Sequence, residues 1–309
     1  MAVQVFRSRG ATSLPWHEAC EQGAGVRYLM APHDLDALHM AVGWARTNGR
    51  TGVVAAAPGA DIDGLLAGLR TAHADAVPLV CVTGRTAPPG RDGAAVPAAA
   101  LVRSARPVAK YAVQVEEPAQ VPQALRAAFR TAREGRPGPV LIDLPYATAA
   151  RDVSFAAADE EHGGTTHRTR RYVVCGRDGP PGRQVATAIG VRVALEASGH
   201  RDTTVVALAR ADQLPHSAEA LAVAARHEVP FVLAATDSGG GRSGGRALEL
   251  MRAYGCSGHR VDDAGGLRPA VAWARKESVT TARPVLLLVA ARTQALAARV
   301  PRPRTSPEA

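Results

Sequence analysis

Residues Gly52–Gly84 read GVVAAAPGADIDGLLAGLRTAHADAVPLVCVTG. Gly52–Ala56 is a short apolar run with the look of a buried strand. Ala57-Pro58-Gly59 is a turn. Asp61–Ala74 carries apolar residues at helical spacing, with Asp61 placed to cap it. Val77–Val82 is a second apolar strand, ending at Thr83-Gly84. Strand, helix and strand in that order are the unit of a parallel α/β sheet.

Outward from this unit the alternation continues. Val26–Met30 reads as a strand and Leu35–Thr47 as a helix. Pro118–Gly135 contains a helix stopped by Gly135-Arg136-Pro137-Gly138, and Val140–Leu144 is a strand closed by Pro145. From Ala147 to Arg171 the pattern breaks into a polar stretch. It holds the acidic run Asp159-Glu160-Glu161 and the basic cluster His167-Arg168-Thr169-Arg170-Arg171. Helices at Gln184–Glu196, Ser217–His227, Ala247–Tyr254 and Leu267–Glu277 then alternate with strands at Thr203–Ala209, Pro230–Ala235, His259–Val261 and Pro284–Ala290. Asp237–Gly245 reads as a glycine-rich loop. The expected architecture is two doubly wound parallel-sheet α/β domains. One spans residues 1–148 and the other 173–294, with a linker at 149–172 and a frayed tail at 295–309.

Composition narrows the function classes. The 309 residues carry a net charge of +9, nearly all from arginine, and only 4% are aromatic. A nucleic-acid surface needs a basic patch interleaved with aromatics, and none is present. No apolar run reaches the ~18 residues of a membrane span. No charged-then-apolar leader opens the chain, which argues for a cytoplasmic protein. Cys20, Cys81, Cys175 and Cys256 lie far apart with no CxxC pair, so reduced thiols are expected. The histidines show no metal-ligand spacing. No G-x-S-x-G elbow occurs, and Gly239–Gly245 lacks the G-K-[ST] of a P-loop.

Several motifs agree in order and spacing with one family. Leu14-Pro15-Trp16, Gly43-Trp44-Ala45-Arg46, Ala57-Pro58-Gly59-Ala60, Asp75–Gly84, Pro107-Val108-Ala109-Lys110 and Gly135–Pro145 resemble the pyrimidine-binding domain of acetolactate synthase-like, thiamine-diphosphate-dependent enzymes. The family's leading helix is not matched. Ala188-Ile189-Gly190, Val205–Leu208, Glu219–Pro230, the loop at Gly239, Ala253-Tyr254-Gly255 and Pro284-Val285-Leu286 are similar to the diphosphate-binding domain of the same enzymes. The family's middle domain, which carries FAD in acetolactate synthases, has no counterpart, which speaks against FAD.

The resemblance implies specific positions. A family glutamate in an H-E-x-G-A motif hydrogen-bonds N1′ of the aminopyrimidine and starts ylide formation. The matching residues are His33 and Asp34, so the acid is one methylene shorter. Asp34 has a second reading as the N-cap of the helix that follows. Pro58 and Gly59 stand in the cofactor-binding G-P-G-A segment. The family anchors the diphosphate through Mg²⁺ with G-D-G and a later Asn, oxygen ligands that suit a hard cation. Here the ungapped positions read Arg210-Ala211-Asp212 and Ser238, followed by Gly239. A one-residue slip would bring Asp212 to the metal position, with Asp237 opposite. Arg210 and Arg242 flank the diphosphate position and suit direct anion binding; otherwise Arg210 pairs with Asp212 or faces solvent. Val96-Pro97-Ala98 replaces the substrate-side F-Q-E, and Arg7-Ser8-Arg9-Gly10 replaces G-V-P-G.

Three readings stand. The first is a divergent thiamine-diphosphate-family protein with a lost or remodelled Mg²⁺-diphosphate site, repurposed or acting as a non-catalytic subunit. The second is an active 2-oxoacid decarboxylase or carboligase using Asp34. The third is an anion-binding scaffold. The expected ligand is a small anionic substrate or cofactor. By resemblance the chain works as a homodimer or larger, or beside a subunit with an intact site.

Overall fold

The computed structural model describes residues 3–9, 11, 25–56, 62–84, 98–145, 148, 179–237 and 242–290. The linker 149–172 and the tail 295–309 lie outside the described residues. The chain divides into two compact units, Met1–Thr203 and Thr204–Ala309.

In the first unit β1 (Val3–Ser8), β2 (Val26–Ala31), β3 (Gly52–Ala56), β4 (Leu79–Gly84), β5 (Tyr111–Gln114) and β6 (Pro139–Leu144) form one parallel sheet. The strand order is β2-β1-β3-β4-β6-β5, and every pairing is parallel. β1 and β5 were not anticipated, because Val3–Ser8 carries Gln4 and Arg7 and Tyr111–Gln114 is only four residues long.

Helix α1 (Asp34–Asn48) follows β2 and crosses to β3. It buries Ala37, Leu38, Met40, Ala41, Val42, Trp44 and Ala45. A Cβ on Gly52 would lie 2.7 Å from the Ala41 carbonyl oxygen and 2.6 Å from Leu79. The missing side chain therefore lets α1 settle on the face that carries Gly52, Val54 and Ala56. Helix α2 (Asp63–Ala74) packs Gly68 on Leu38. It begins two residues later than expected, with Ile62 at the N-cap and no side-chain cap bond. Asp61 lies outside the described residues. Helix α3 (Ala98–Ala105) precedes β5. On the opposite face, α4 (Val121–Arg133) sets Ala128 and Ala132 against Val80, Val140 and Ile142.

Helix α5 (Arg183–Ala197) was read from the sequence as opening the second domain; it packs on α1 within the first unit. Glycines make this possible. A Cβ on Gly43 would collide with the Thr187 carbonyl, and one on Gly190 with the Met40 carbonyl. His39 of α1 is 1% exposed, and neither ring nitrogen has a hydrogen-bond partner among the described residues. Burial, and then the charge of Arg183, depress its pKa from 6.5 to about 3.

The second unit is a four-stranded parallel sheet. β7 (Val206–Arg210), β8 (Val232–Asp237), β9 (Gly258–Val261) and β10 (Val285–Ala290) run in the order β7-β8-β10-β9. Between β7 and β8 lies α6 (Ala218–Arg226). Helix α8 (Leu267–Thr281) sets Ala270 and Ala274 on Val232, Val285 and Leu287. Helix α7 (Arg242–Ala253) covers the other face through Leu248, beside Gly258 and Leu286. The glycine-rich loop is thus shorter than expected, since Arg242 to Gly245 are helical. Gly244 explains the difference. Its missing Cβ would lie 2.5 Å from Asp237 Oδ2 and 2.6 Å from Leu288, so glycine lets the first turn of α7 close on the sheet.

Both described cysteines, Cys81 and Cys256, are buried free thiols. No helix among the described residues is long and apolar enough to cross a membrane.

Two outcomes follow from the α1–α5 contact. Gly190→Ala should lower stability by about 1–3 kcal/mol or more, measured by denaturant unfolding, because backbone rather than a flexible side chain stands in the way. Between pH 6.5 and about 3 an unfolded His39 binds a proton that the folded one refuses. Stability should therefore fall as pH drops through that window, by on the order of a few kcal/mol. A His39→Leu variant melted at pH 4, 5, 6 and 7 should lose this part of the slope.

Candidate functional site

Parallel α/β sheets bind ligands at the carboxyl ends of their strands. At that end of the first sheet, register lines up one row. Ser8 pairs with Ala31, Arg7 with Ala55, Ala56 with Thr83, and Thr83 with Asp143. Ser8, Ala56, Thr83 and Asp143 thus point to the face on which α1 lies. Thr83 is fully buried and donates from Oγ1 to Asp143 Oδ1 at 2.8 Å. Asp143 is 2% exposed.

Asp34 joins this edge from the start of α1. His33 is the exposed N-cap, with extended backbone (φ −132°, ψ 163°), and its carbonyl accepts from Ala37 N at 3.1 Å. Asp34 is therefore the first helical residue, and the cap makes no side-chain hydrogen bond. The N-cap reading of Asp34 does not hold, because the extended backbone that defines a cap sits one residue earlier. With Asp36, Asp34 places negative charge in the first turn, where the helix N-terminus favours it. The Cys81 thiol is held well above its ordinary pKa, first by burial and then by the charges of Asp34 and Asp143. The two carboxylates thus act on one buried point of the α1-facing side.

The carboxyl end of the second sheet differs. Arg210 closes β7 and grips Asp212 two-pronged, Nε to Oδ1 at 3.0 Å and the second nitrogen to Oδ2 at 2.5 Å. Both side chains are exposed, 58% and 45%. Their mutual hydrogen bond raises the guanidinium pKa and lowers the carboxyl pKa. Ala211, between them, is 2% exposed and opens a 3₁₀ turn. Asp237 closes β8, is buried, and accepts from Arg260 of β9 at 3.2 Å. Arg260 also meets Asp262 at 2.7 Å. Ser238 and Gly239 lie outside the described residues, as do Pro58 and Gly59. Arg242 begins α7, and its side chain lies outside the description. No group of three or more His, Cys, Asp or Glu side chains that could hold a metal occurs among the described residues.

The structure therefore joins Arg210 to Asp212, and it sets Asp34 over the same sheet edge as Thr83 and Asp143. The Thr83–Asp143 pair was not singled out in the sequence. Its signal was a polar residue closing each of two apolar strands, Leu79–Thr83 and Val140–Asp143.

Residues 2–101 match the thiamine pyrophosphate enzyme N-terminal TPP binding domain. The first half of the chain is thus similar to the N-terminal domain of thiamine-diphosphate-dependent enzymes of the acetolactate synthase and glyoxylate carboligase kind. Among its relatives, glyoxylate carboligase of Escherichia coli O157:H7 is 40% identical over 156 residues, covering 49% of this chain and 26% of that protein. The acetolactate synthase large subunit of Lactococcus lactis subsp. lactis (strain IL1403) is 34% identical over 150 residues, covering 48% and 26%. The matched region thus spans about a quarter of the length of these curated relatives. Benzoylformate decarboxylase from Polynucleobacter necessarius superposes with a TM-score of 0.69 at 11% identity, covering 94% of this chain and 96% of that one. A putative thiamin diphosphate-dependent enzyme from Mycobacterium smegmatis gives 0.70 at 14%, with the same coverage. These structures share the doubly wound α/β fold of thiamine-diphosphate-dependent enzymes.

The buried Thr83–Asp143 pair can be weighed directly. Thr83→Val keeps the shape but leaves Asp143 without its hydroxyl donor. It should cost about 1–3 kcal/mol in urea unfolding, because an acceptor then stays buried without that donor.

Proposed function

We propose that this chain is a divergent thiamine-diphosphate-family protein built on a 2-oxoacid decarboxylase or carboligase scaffold, with a remodelled metal-diphosphate anchor. The observation that carries the reading is the Arg210–Asp212 ion pair at the positions of the family's G-D-G. Ala211 offers a buried methyl where a carboxylate is needed. Asp212, the nearest substitute, is already engaged by a guanidinium. These residues do not fit a Mg²⁺ anchor of the family type. They fit direct capture of an anion better, with Arg210 trading Asp212 for phosphate oxygens.

The pyrimidine side fits the family better. Asp34 keeps an acid at the first turn of α1, partly buried beside the Thr83–Asp143 edge. Thiamine diphosphate, when bound, supplies an electron sink for 2-oxoacids. The part of this chain is to present the Asp34 carboxylate as a hydrogen-bond acceptor, with His33 next to it at the helix start. Aspartate reaches about 1 Å less than glutamate, an offset that costs on the order of a hundredfold in rate. That shortfall supports a repurposed enzyme or a subunit that assists another. We read the protein as cytoplasmic. We also read it as an oligomer, either of identical chains or with a subunit that carries an intact diphosphate site.

The second reading, an active 2-oxoacid decarboxylase or carboligase, is favoured by the retained acid at Asp34. An anion-binding scaffold is the third. Calorimetric titration of thiamine diphosphate into the full chain, in Mg²⁺ and in EDTA, separates them. The expected outcome is binding that EDTA does not weaken and that Arg210→Ala abolishes. Micromolar binding that requires Mg²⁺ would overturn the remodelled anchor and establish the second reading.

A further inference from the structure

Ser8 closes β1, is 3% exposed, and its Oγ has no hydrogen-bond partner among the described residues. A buried hydroxyl without a partner is costly, and folded proteins rarely keep one without a use. Its place in the fold is informative. The chain leaves β1 towards β2 on one side, and it leaves β3 towards β4 on the other. The connections thus part at the boundary between β1 and β3, which is where doubly wound sheets open a ligand crevice. Ser8 stands at the carboxyl end of that boundary, one residue beyond the Arg7–Ala55 pairing. It shares its sheet face with Ala56, Thr83 and Asp143, the face on which α1 begins with Asp34. The neighbouring Thr83 hydroxyl is committed to Asp143, so Ser8 is the hydroxyl of the row with a hydrogen bond still to give.

We propose that Ser8 is a ligand-contacting residue of this crevice, its hydroxyl satisfied by a planar nitrogen heterocycle that also donates N–H to the carboxylate side. The inference rests on the pyrimidine-side reading above and adds a residue to it. Ser8 can both donate and accept. It therefore complements a ring nitrogen or an exocyclic amine, whereas Asp34 and Asp143 as carboxylates only accept.

Two measurements on the full chain test this. In ligand-free thermal melts, Ser8→Ala removes an unsatisfied buried hydroxyl and should raise Tm by about 2–4 °C. In calorimetric titration with thiamine diphosphate, the same variant should bind about tenfold more weakly. Ser8→Cys, closer in volume and a poor hydrogen-bonding group, should weaken binding similarly and covers the case in which the alanine variant fails to fold. A higher Tm together with weaker binding is a combination that a purely structural serine would not produce. A lower Tm with unchanged affinity would show that the hydroxyl is satisfied inside the fold and would overturn the proposal. Should the unaltered chain bind no thiamine diphosphate, the functional reading falls by itself. The ligand-free melt then decides Ser8: a rise keeps the unsatisfied hydroxyl at the crevice, and a fall removes it.

Discussion

Helix α1 is enclosed on nearly every side, and the first unit is arranged around that constraint. Gly52 lets it lie close on the sheet, Gly68 lets α2 lie close on it, and Gly43 and Gly190 bring α5 to backbone distance. Four positions without side chains thus hold one helix in place. Close packing of this kind has no slack, because interiors are filled to crystal-like density. The first residue of α1 is Asp34, so whatever fixes the helix also fixes the height of that carboxylate above the sheet edge.

The two sheets treat their carboxyl ends in opposite ways. The first gathers acceptors and hydroxyls, with Asp34, Asp143, Thr83 and Ser8 on one face. Burial there makes each polar group matter, since an unmet hydrogen bond is not repaid by water. The second ends in arginine–aspartate pairs, Arg210 with Asp212 and Arg260 with Asp237 and Asp262. The Arg210 pair is open to solvent and contributes little to stability. Within it the guanidinium and the carboxylate satisfy each other.

Much of this was legible along the chain. The strands Gly52–Ala56 and Val140–Leu144 stand within one residue of their expected bounds, since a short apolar run closed by Gly or Pro is a strong local signal. β1 was not, because Gln4 and Arg7 interrupt its apolar character and its pairing partners come from elsewhere in the sequence. The glycine run before α7 looked like an extended loop. Half of it is helix, because Gly244 meets Asp237 and Leu288 where no side chain would fit. Whether Arg210 turns to Asp212 or out to solvent was open along the chain, and the geometry at the end of β7 makes the pair.

By itself the sequence determined the alternation of strands and helices, the parallel pairing it implies, and a resemblance to thiamine-diphosphate enzymes, because periodicity, turn residues and motif spacing are local properties. The tertiary structure alone decided that α5 packs on α1 and that the first residue of α1 is Asp34 rather than the residue after it. It alone also set Ser8, Thr83 and Asp143 in one line. Thr83 and Asp143 are 60 residues apart. Only the register of parallel strands, set by backbone hydrogen bonds across the whole sheet, brings such distant positions to the same edge and the same face.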